Sequence, residues 1–133
     1  MTDFQSAAAC RDFVVRCLRA LDDRDYETLA SGFAADGVWD RGGEQLVGPE
    51  AVRAAMAKRP DDFETQHLAL NMVVDMEGAE AATVSYTIAA YAQTSDKPAH
   101  LHGLYRATDC LARSPEGWHF TKRSVSPAFP AQT

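Results

Sequence analysis

The sequence has no surplus of positive charge. It carries 13 Lys and Arg residues against 19 Asp and Glu residues, which gives a formal net charge of -6, and its basic residues are scattered along the chain. Proteins that bind nucleic acids or anionic membranes by electrostatic attraction use clusters of Lys and Arg. We therefore expect no nucleic-acid partner and no membrane partner.

The sequence also lacks long apolar runs. No stretch approaches the roughly 20 apolar residues that cross a bilayer, and the opening MTDFQSAAAC has neither the basic segment nor the apolar run of a signal peptide. The 133 residues, 46% hydrophobic and 24% charged, have the length and composition of one globular domain. We expect a cytoplasmic protein with a single domain over residues 1–133.

Cysteine is scarce, with Cys10, Cys17 and Cys110 in the whole sequence. Their number is odd, their spacing is not that of a metal site, and no His lies near them in sequence as a catalytic Cys requires. Cys10 and Cys17 fall on the apolar stripe of a predicted helix. We expect reduced thiols in the core.

The first half of the sequence predicts three helices. Apolar residues recur at intervals of three and four over residues 6–22, which predicts an amphipathic helix there. These residues are Cys10, Phe13, Val14, Cys17, Leu18 and Leu21. Asp25 stands where the N-cap of a second helix belongs, and Pro49 suits the first turn of a short third helix. Between the last two helices, VWD and EQLV flank a pair of glycines and predict a small hairpin.

The second half changes to a period of two, which predicts four long strands joined by short turns. They are TQHLALNMVV, AATVSYTIAAYAQ, LHGLYRATDCLAR and WHFTKRSVS. In the first, Leu68, Leu70, Met72 and Val74 share one face, and His67, Ala69, Asn71 and Val73 share the other. The order predicts an α+β fold in which a curved, mainly antiparallel sheet packs on three helices and encloses one small-molecule pocket. Which face of each strand lines the pocket stays open.

Three carboxylates, Asp22, Asp23 and Asp25, gather where the first helix ends. The C-terminus of a helix repels carboxylates by roughly 0.3–1 kcal/mol each. Asp22 lies four residues after Leu18 and therefore shares the buried side of the helix, whereas Asp23 does not. A carboxylate there needs a donor or a cation, for which His67 is our candidate. The alternative is that all three acids are solvated turn residues.

Four segments together indicate a family. LDDRDYETLASGFAADGVW, GPEAVRAAM, TQHLALN and GWHFTKR resemble, in this order and spacing, the nuclear transport factor 2-like superfamily. Within it, the sequence is most similar to the SnoaL-like branch that includes scytalone dehydratase and hexachlorocyclohexane dehydrochlorinase. The resemblance covers about residues 8–126 and implies a cone-shaped, cystatin-like roll. It also implies a homodimer that pairs through outer sheet faces, for which Leu68, Leu70 and Met72 offer an apolar surface.

The resemblance to scytalone dehydratase implies a catalytic pair. Asp22 falls in its motif Asp-x-x-Asp-aromatic, and His67 falls in its Thr-Gln-His. A second catalytic His of that enzyme has no counterpart in residues 89–93, and Leu21 and Arg41 stand near the places of two pocket tyrosines. The resemblance therefore implies the fold and the pair, and not the substrate.

A looser resemblance concerns Asp40. The segment DGVWDRGG is similar to a motif of ketosteroid isomerase, another member of the superfamily, whose base is an Asp that follows a short strand. This resemblance implies an isomerase or polyketide-cyclase-like enzyme with Asp40 as base. The partner groups of an oxyanion hole are not identifiable in the sequence.

Other residues are candidates for binding. Trp39, Tyr91 and Tyr105 either line the pocket or pack in the core, Asp40 lies beside them in the predicted site, and Asn71 is a candidate donor to an enolate oxygen.

Two histidines raise the question of a metal. His100 and His102 form an H-x-H pair without a located third ligand, so we expect no metal. If Tyr105 faces the pocket, as the dehydratase resemblance suggests, alternation turns both histidines away from it.

These residues together predict a cofactor-independent enzyme. His67, held in one tautomer by Asp22, would remove a proton from a small, mostly apolar cyclic substrate, and a dehydratase- or lyase-type elimination would follow. The sequence offers no phosphate-binding glycine loop, no Cys or Ser nucleophile motif and no complete metal set. A non-catalytic small-molecule-binding protein is the alternative from another class.

Overall fold

Three helices lie in the first half of the chain. The computed structural model describes residues 2–131, with α1 at Asp3–Asp22, α2 at Tyr26–Ser31 and α3 at Gly48–Ala57. α1 begins earlier than its apolar period predicts, because Thr2 Oγ1 accepts the Gln5 N–H at 3.1 Å and Gln5 Oε1 accepts the Thr2 N–H at 2.9 Å. Within these residues, no helix combines the length and the apolarity needed to cross a membrane.

The starts of α2 and α3 confirm the predictions. Asp25 is the N-cap of α2, and its carboxylate accepts the Thr28 N–H at 3.2 Å, while Pro49 lies in the first turn of α3. Arg53 of α3 donates to both carboxylate oxygens of Glu27, each at 2.7 Å, and so joins α3 to α2 at the surface. These bonds, with a further one from the Ser31 hydroxyl, lower the pKa of Glu27 to about 2.

Six strands form one curved sheet. They are β1 Phe33–Arg41, β2 Glu44–Val47, β3 Glu64–Met76, β4 Ala81–Thr94, β5 Lys97–Ser114 and β6 Gly117–Pro127, in the order β2-β1-β6-β5-β4-β3. All neighbours are antiparallel except β1 and β6, which are parallel. The predicted α+β fold, with helices in the first half and a meander in the second, is confirmed.

The helices pack on the concave face of the sheet, where α1 contacts β3 and α3 contacts β1. The core between them includes Cys10, Val14, Leu29, Val52, Val84 and Phe120, none of which is accessible to solvent. Burial raises the pKa of Cys10 to about 11 and, as the largest effect, that of Cys17 to about 12. Both thiols therefore remain protonated. Cys10 and Cys17 lie in the core as predicted, whereas Cys110 is only partly buried.

The alternation of inward-facing and outward-facing side chains is interrupted within β3. Asn71 has a φ of +55°, and the register with β4 shifts just beyond Leu70. An extra residue in one strand reverses the faces beyond it. Leu68 and Leu70 are exposed, whereas Met72 and Val74 pack against the core. The predicted common face of these four side chains was wrong, because Asn tolerates the left-handed conformation that such a bulge requires.

Candidate active site

A cavity of about 430 Å³ lies between the helices and the concave face of the sheet. Its wall is formed by α1, α3, the segment that follows α3, and every strand except β2. Among the lining residues are Leu21, Trp39, Met56, His67, Tyr105 and Arg123. Small-molecule sites are typically about 300–1,000 Å³ and mostly apolar with a few polar groups, so this cavity has the size for a small ligand.

Asp22 and His67 are in contact, and His67 lines this cavity. Asp22 ends α1, and His67 lies on β3. The His67 Nδ1–H donates to Asp22 Oδ1 at 2.5 Å, and the backbone N–H of His67 donates to Oδ2 at 2.8 Å. The side chain of Asp22 is 7% exposed and that of His67 is 16% exposed, so water competes little for these bonds. A proton held on Nδ1 leaves Nε2 as the basic nitrogen of a ring that lines the cavity.

Two further residues hold the carboxylate of Asp22. The Thr65 hydroxyl donates to Asp22 Oδ1 at 2.9 Å, and Arg59 donates to Thr65 Oγ1 at 3.1 Å, which directs the hydroxyl proton toward the carboxylate. Arg59 also donates to the Tyr26 hydroxyl at 3.0 Å, and its Cζ lies 5.2 Å from the ring centre of Phe63. Sequence reasoning missed Thr65 and Arg59, although Thr65 opens the Thr-Gln-His motif.

The three carboxylates at the end of α1 have different roles. Asp22 accepts three hydrogen bonds, which offset the repulsion from the helix C-terminus. Asp23 is the exposed C-cap of α1, and Asp25 is the N-cap of α2. The alternative that all three are solvated turn residues does not apply to Asp22.

Of the three aromatic candidates, Trp39 and Tyr105 line the cavity, and Trp39 also belongs to the hydrophobic core. Tyr105 lies over Gly103, where an added Cβ would be 2.3 Å from its hydroxyl oxygen. The absence of a side chain at position 103 therefore makes room for the tyrosine ring.

The other three predicted substrate-binding residues do not line the cavity. Asp40 Oδ1 accepts the N–H of Gly43 at 3.1 Å and so caps the turn between β1 and β2. Asn71 occupies the exposed bulge of β3. Tyr91 is 43% exposed and opposes Leu101 on the convex face. We withdraw a substrate-binding role for Asp40, Asn71 and Tyr91, because their side chains lie away from the cavity.

A second bulge turns His102 inward. The pairing of β5 with β4 skips one residue there, and His102 lines the cavity together with Tyr105. The expectation that His102 faces away was wrong, because alternation fails across a bulge. The rings of His100 and His102 lie 6.0 Å apart, and in residues 2–131 no three His, Cys, Asp or Glu side chains are grouped to hold a metal ion.

A buried polar cluster reaches the cavity wall through one of its members, Arg123. Arg123 on β6 lines the cavity with 2% of its surface exposed, and Asp109, its fully buried partner on β5, accepts the Tyr86 hydroxyl at 2.6 Å. The Arg123 Cζ lies 5.1 Å from the ring centre of Trp39 and 5.6 Å from that of Phe120. Aromatic rings on which a guanidinium packs stabilise its charge.

Burial disfavours the charged forms of both Asp109 and Arg123, but its effect on the pKa prevails only at Asp109. It raises the pKa of Asp109, and the charge of Arg123 and the bond from Tyr86 only partly counteract it. Burial alone would lower the pKa of Arg123, but the neighbouring Tyr86 and Asp109 outweigh it and the pKa is raised. Arg123 is therefore a cation at the wall of the cavity.

Sequence reasoning missed Arg123. The pairing of β6 with β5 skips Thr121, so Phe120 and Arg123 both point inward although they are three residues apart. Simple alternation from Phe120 puts Arg123 on the opposite face, and only the structure shows that Arg123 lines the cavity together with Val125, two residues later.

Comparisons with known proteins agree with this architecture. Residues 3–124 match the model of the SnoaL-like domain family. The structure is similar to that of an NTF2-like protein with a cystatin-like fold from Novosphingobium aromaticivorans, with a TM-score of 0.85 and 19% identity over 96% of this chain and 85% of that one. A protein from the same organism, described provisionally as a scytalone dehydratase, has a TM-score of 0.81 and 19% identity over 92% and 83%. ActVI-ORFA from Streptomyces coelicolor has a TM-score of 0.78 and 16% identity over 91% and 96%. The comparison with curated proteins found no match.

Proposed function

The chain belongs to the SnoaL-like domain family, and on that premise we propose that it is a cofactor-independent enzyme in which His67 is a general base. His67 Nε2 removes a proton from a carbon atom of a small, mostly apolar cyclic substrate. Asp22 keeps the other ring proton on Nδ1 and stabilises the imidazolium that forms. The observation that supports the proposal most is the 2.5 Å hydrogen bond between His67 Nδ1 and Asp22 Oδ1 at the cavity wall.

Elimination of the dehydratase or lyase type is the reaction that we favour. The electron pair of the broken C–H bond forms a C=C double bond. The leaving group on the adjacent carbon departs with the electron pair of its own bond to carbon. The imidazolium of His67 can then return its proton to the leaving oxygen. The mainly apolar wall, with residues such as Leu21 and Met56, suits a ring with few polar groups.

The isomerase-like alternative with Asp40 as base receives no support from geometry. Its carboxylate accepts the Gly43 N–H in a surface turn, and its side chain does not line the cavity. A non-catalytic binding protein would use the same cavity but would not need the pair of Asp22 and His67. The effect of replacing Asp22 or His67 therefore distinguishes an enzyme from a non-catalytic binding protein.

The experiment is a screen of cyclic ketones, hydroxyketones and haloalkanes with the purified protein, followed by variants on the best substrate. We expect His67→Ala to lower turnover by about 10² to 10⁴-fold, the usual contribution of a positioned general base. His119→Ala is the matched control, because His119 lies on β6 and is not among the cavity-lining residues.

Two outcomes would contradict the proposal. Full activity of His67→Ala together with loss of activity in Asp40→Asn would identify Asp40 as the base. Normal ligand binding without turnover in the wild type, across the whole screen, would favour the binding protein.

We also propose that the protein is a homodimer. The convex face of β3, β4 and β5 exposes Leu68, Leu70, Val73, Tyr91 and Leu101, each 43–54% accessible. Val73, rather than the predicted Met72, contributes here because of the bulge in β3. An exposed apolar patch that spans three adjacent strands is a candidate surface for a twofold interface, in which the same patch of both subunits would be buried. Sedimentation of a monomer at high micromolar concentration would refute the dimer, and Leu68→Lys should dissociate it.

A further inference from the structure

A second concavity adjoins the cavity on the surface of the protein. This space, the α3 groove, has a volume of about 580 Å³ and lies between α3 and the hairpin of β1 and β2. Its apolar part includes Leu46 of β2 and Ala55 of α3. Arg41, Arg59 and Phe63 line both the α3 groove and the cavity. A molecule bound in the cavity can therefore extend a substituent into the groove.

The α3 groove is basic, although the whole chain is acidic. Three cations, Arg41, Lys58 and Arg59, line it together with one anion, Glu44, whereas the formal net charge of the chain is -6. Cations that converge on one concavity attract anionic ligands. Lys58 also suits the C-terminus of α3, where positive charge is favourable. The inference therefore depends on the three cations together and not on Lys58 alone.

Two of these cations are accessible and weakly paired. Arg41 Nη1 donates to Glu44 Oε1 at 3.4 Å, and the two side chains are 38% and 65% exposed. Exposed ion pairs of this kind contribute little to stability, so a ligand carboxylate can replace Glu44 as the partner of Arg41. Lys58 is exposed, and no carboxylate of residues 2–131 forms an ion pair with it.

Arg59 is a fixed cation between the cavity and the α3 groove. It donates to the hydroxyls of Tyr26 at 3.0 Å and Thr65 at 3.1 Å, both of which are uncharged. Its hydrogen-bond network reaches the carboxylate of Asp22 through the Thr65 hydroxyl. The Arg59 Cζ also lies 5.2 Å from the ring centre of Phe63. These contacts hold the guanidinium in place, so its charge adds to the positive potential of the groove.

We propose that the α3 groove binds an acidic side chain of the substrate, a carboxylate on a short apolar chain attached to the ring in the cavity. This inference rests on the proposed function. Lys58 and Arg41 bind the carboxylate, and the chain packs against Leu46 and Ala55. The substrate class is then a cyclic compound with a carboxylate side chain, rather than an uncharged ring.

The groove determines specificity and takes no part in the reaction. A carboxylate held there lies outside the cavity in which His67 acts, so its interactions are equal in the ground state and the transition state. Interactions of this kind lower KM and leave kcat unchanged. For an acidic substrate, we therefore expect Lys58→Gln to raise KM about two- to fivefold at constant kcat.

A binding experiment tests the groove without turnover. The probes are 2-naphthylacetic acid, 4-(2-naphthyl)butanoic acid and 6-(2-naphthyl)hexanoic acid, each compared with its uncharged amide by titration calorimetry. At low ionic strength, the acid whose chain reaches the groove should bind at least about fivefold more tightly than its amide. This preference should shrink in salt, because exposed charges are screened. Equal affinities within all three pairs would overturn the proposal.

Surface variants locate the carboxylate. Lys58 and Glu44 are exposed and line the groove but not the cavity. Lys58→Gln should lower the preference for the acid about two- to fivefold, and Glu44→Gln should raise it by a similar factor. Lys122→Gln is the matched control, because it makes the same change of net charge at an exposed position that lines neither space. A preference that neither groove variant changes would place the carboxylate elsewhere and refute the groove.

The same probes distinguish this inference from the proposed base. His67→Ala should keep the preference for the acid, because His67 lines the cavity and not the groove. Loss of turnover in His67→Ala, together with equal binding of acids and amides, would support the base and refute the groove. Full turnover in His67→Ala, with the preference for the acid retained, would refute the base and support the groove.

Discussion

Replacement of Asp22 by Asn should reverse the tautomer of His67. The carboxylate of Asp22 accepts from the Thr65 hydroxyl at 2.9 Å, the His67 backbone N–H at 2.8 Å and the His67 Nδ1–H at 2.5 Å. An Asn side chain has one accepting oxygen, and its NH2 group can only donate. If the oxygen keeps the backbone N–H, the amide faces Nδ1, and the ring relieves this clash by moving its proton to Nε2. His67 then no longer offers a basic nitrogen to the cavity.

The same change should destabilise the fold. Hydrogen bonds to a charged group contribute about 1.5–3 kcal/mol each, and the amide leaves at least one donor without its acceptor. Removal of a negative charge from the C-terminus of α1 returns only about 0.3–1 kcal/mol. The lost bond outweighs the relieved repulsion, so we expect the free energy of unfolding to fall by about 0.5–2.7 kcal/mol.

Asp23→Asn provides a matched control. Asp23 is the next residue and lies at the same helix end, but its side chain is exposed. The substitution removes the same unfavourable charge without breaking the bonds to Thr65 and His67. We expect no loss of stability, or a gain of up to about 1 kcal/mol.

Two measurements check this reasoning without a substrate. Long-range ¹H–¹⁵N correlation spectra of the neutral ring distinguish protonated Nδ1 from protonated Nε2, and urea denaturation gives the free energies of unfolding. The reasoning is refuted if Asp22→Asn retains the Nδ1 proton on His67, or if Asp22→Asn and Asp23→Asn change stability equally.

Three further predictions concern stability and thiol chemistry. Tyr86→Phe removes the hydroxyl that donates to buried Asp109, so the free energy of unfolding should fall by about 1–3 kcal/mol; a urea midpoint equal to that of the wild type would contradict this. Because burial raises the pKa of Cys10 to about 11 and that of Cys17 to about 12, both should resist iodoacetamide at about pH 8 until the protein unfolds. Timed labelling with mass spectrometry checks this, and labelling in the native state at the rate of a free thiol would count against it. The bonds to Glu27 lower its folded-state pKa from 4.5 to about 2, so their stabilising effect is complete above about pH 4.5 and is lost as the pH falls toward 2. The difference in thermal stability between wild type and Glu27→Gln should shrink over that range, and a constant difference would rule the linkage out.

Local sequence patterns were sufficient to predict the helices and the long strands of the fold. The helical recurrence from Cys10 to Leu21, Asp25 at an N-cap and Pro49 in a first turn each depend on residues close in sequence. The structure has all three helices and four long strands where these signals occur, with α1 starting earlier through its capping box. Helix and strand periods are local properties, which is why they can be read without a partner element.

The pair of Asp22 and His67 could be anticipated for a different reason. Asp22 falls on the buried side of its helix at an end that repels it, and that position requires a donor from elsewhere in the chain. The family resemblance pointed to His67, and the structure brings the two side chains into hydrogen-bond contact. Thr65 donates to Asp22 and Arg59 donates to Thr65, but neither position in the sequence requires a partner in this way.

The set of elements, their order and the buried faces of the helices follow from local sequence patterns. Which strand residues reach the cavity depends on how the strands pair, because single-residue bulges near Asn71, His102 and Thr121 shift the register between neighbouring strands. A bulge exists only relative to the strand that it pairs with, and each one reverses the alternation beyond it. The bulges turn Asn71 out of the site and place His102 and Arg123 within it.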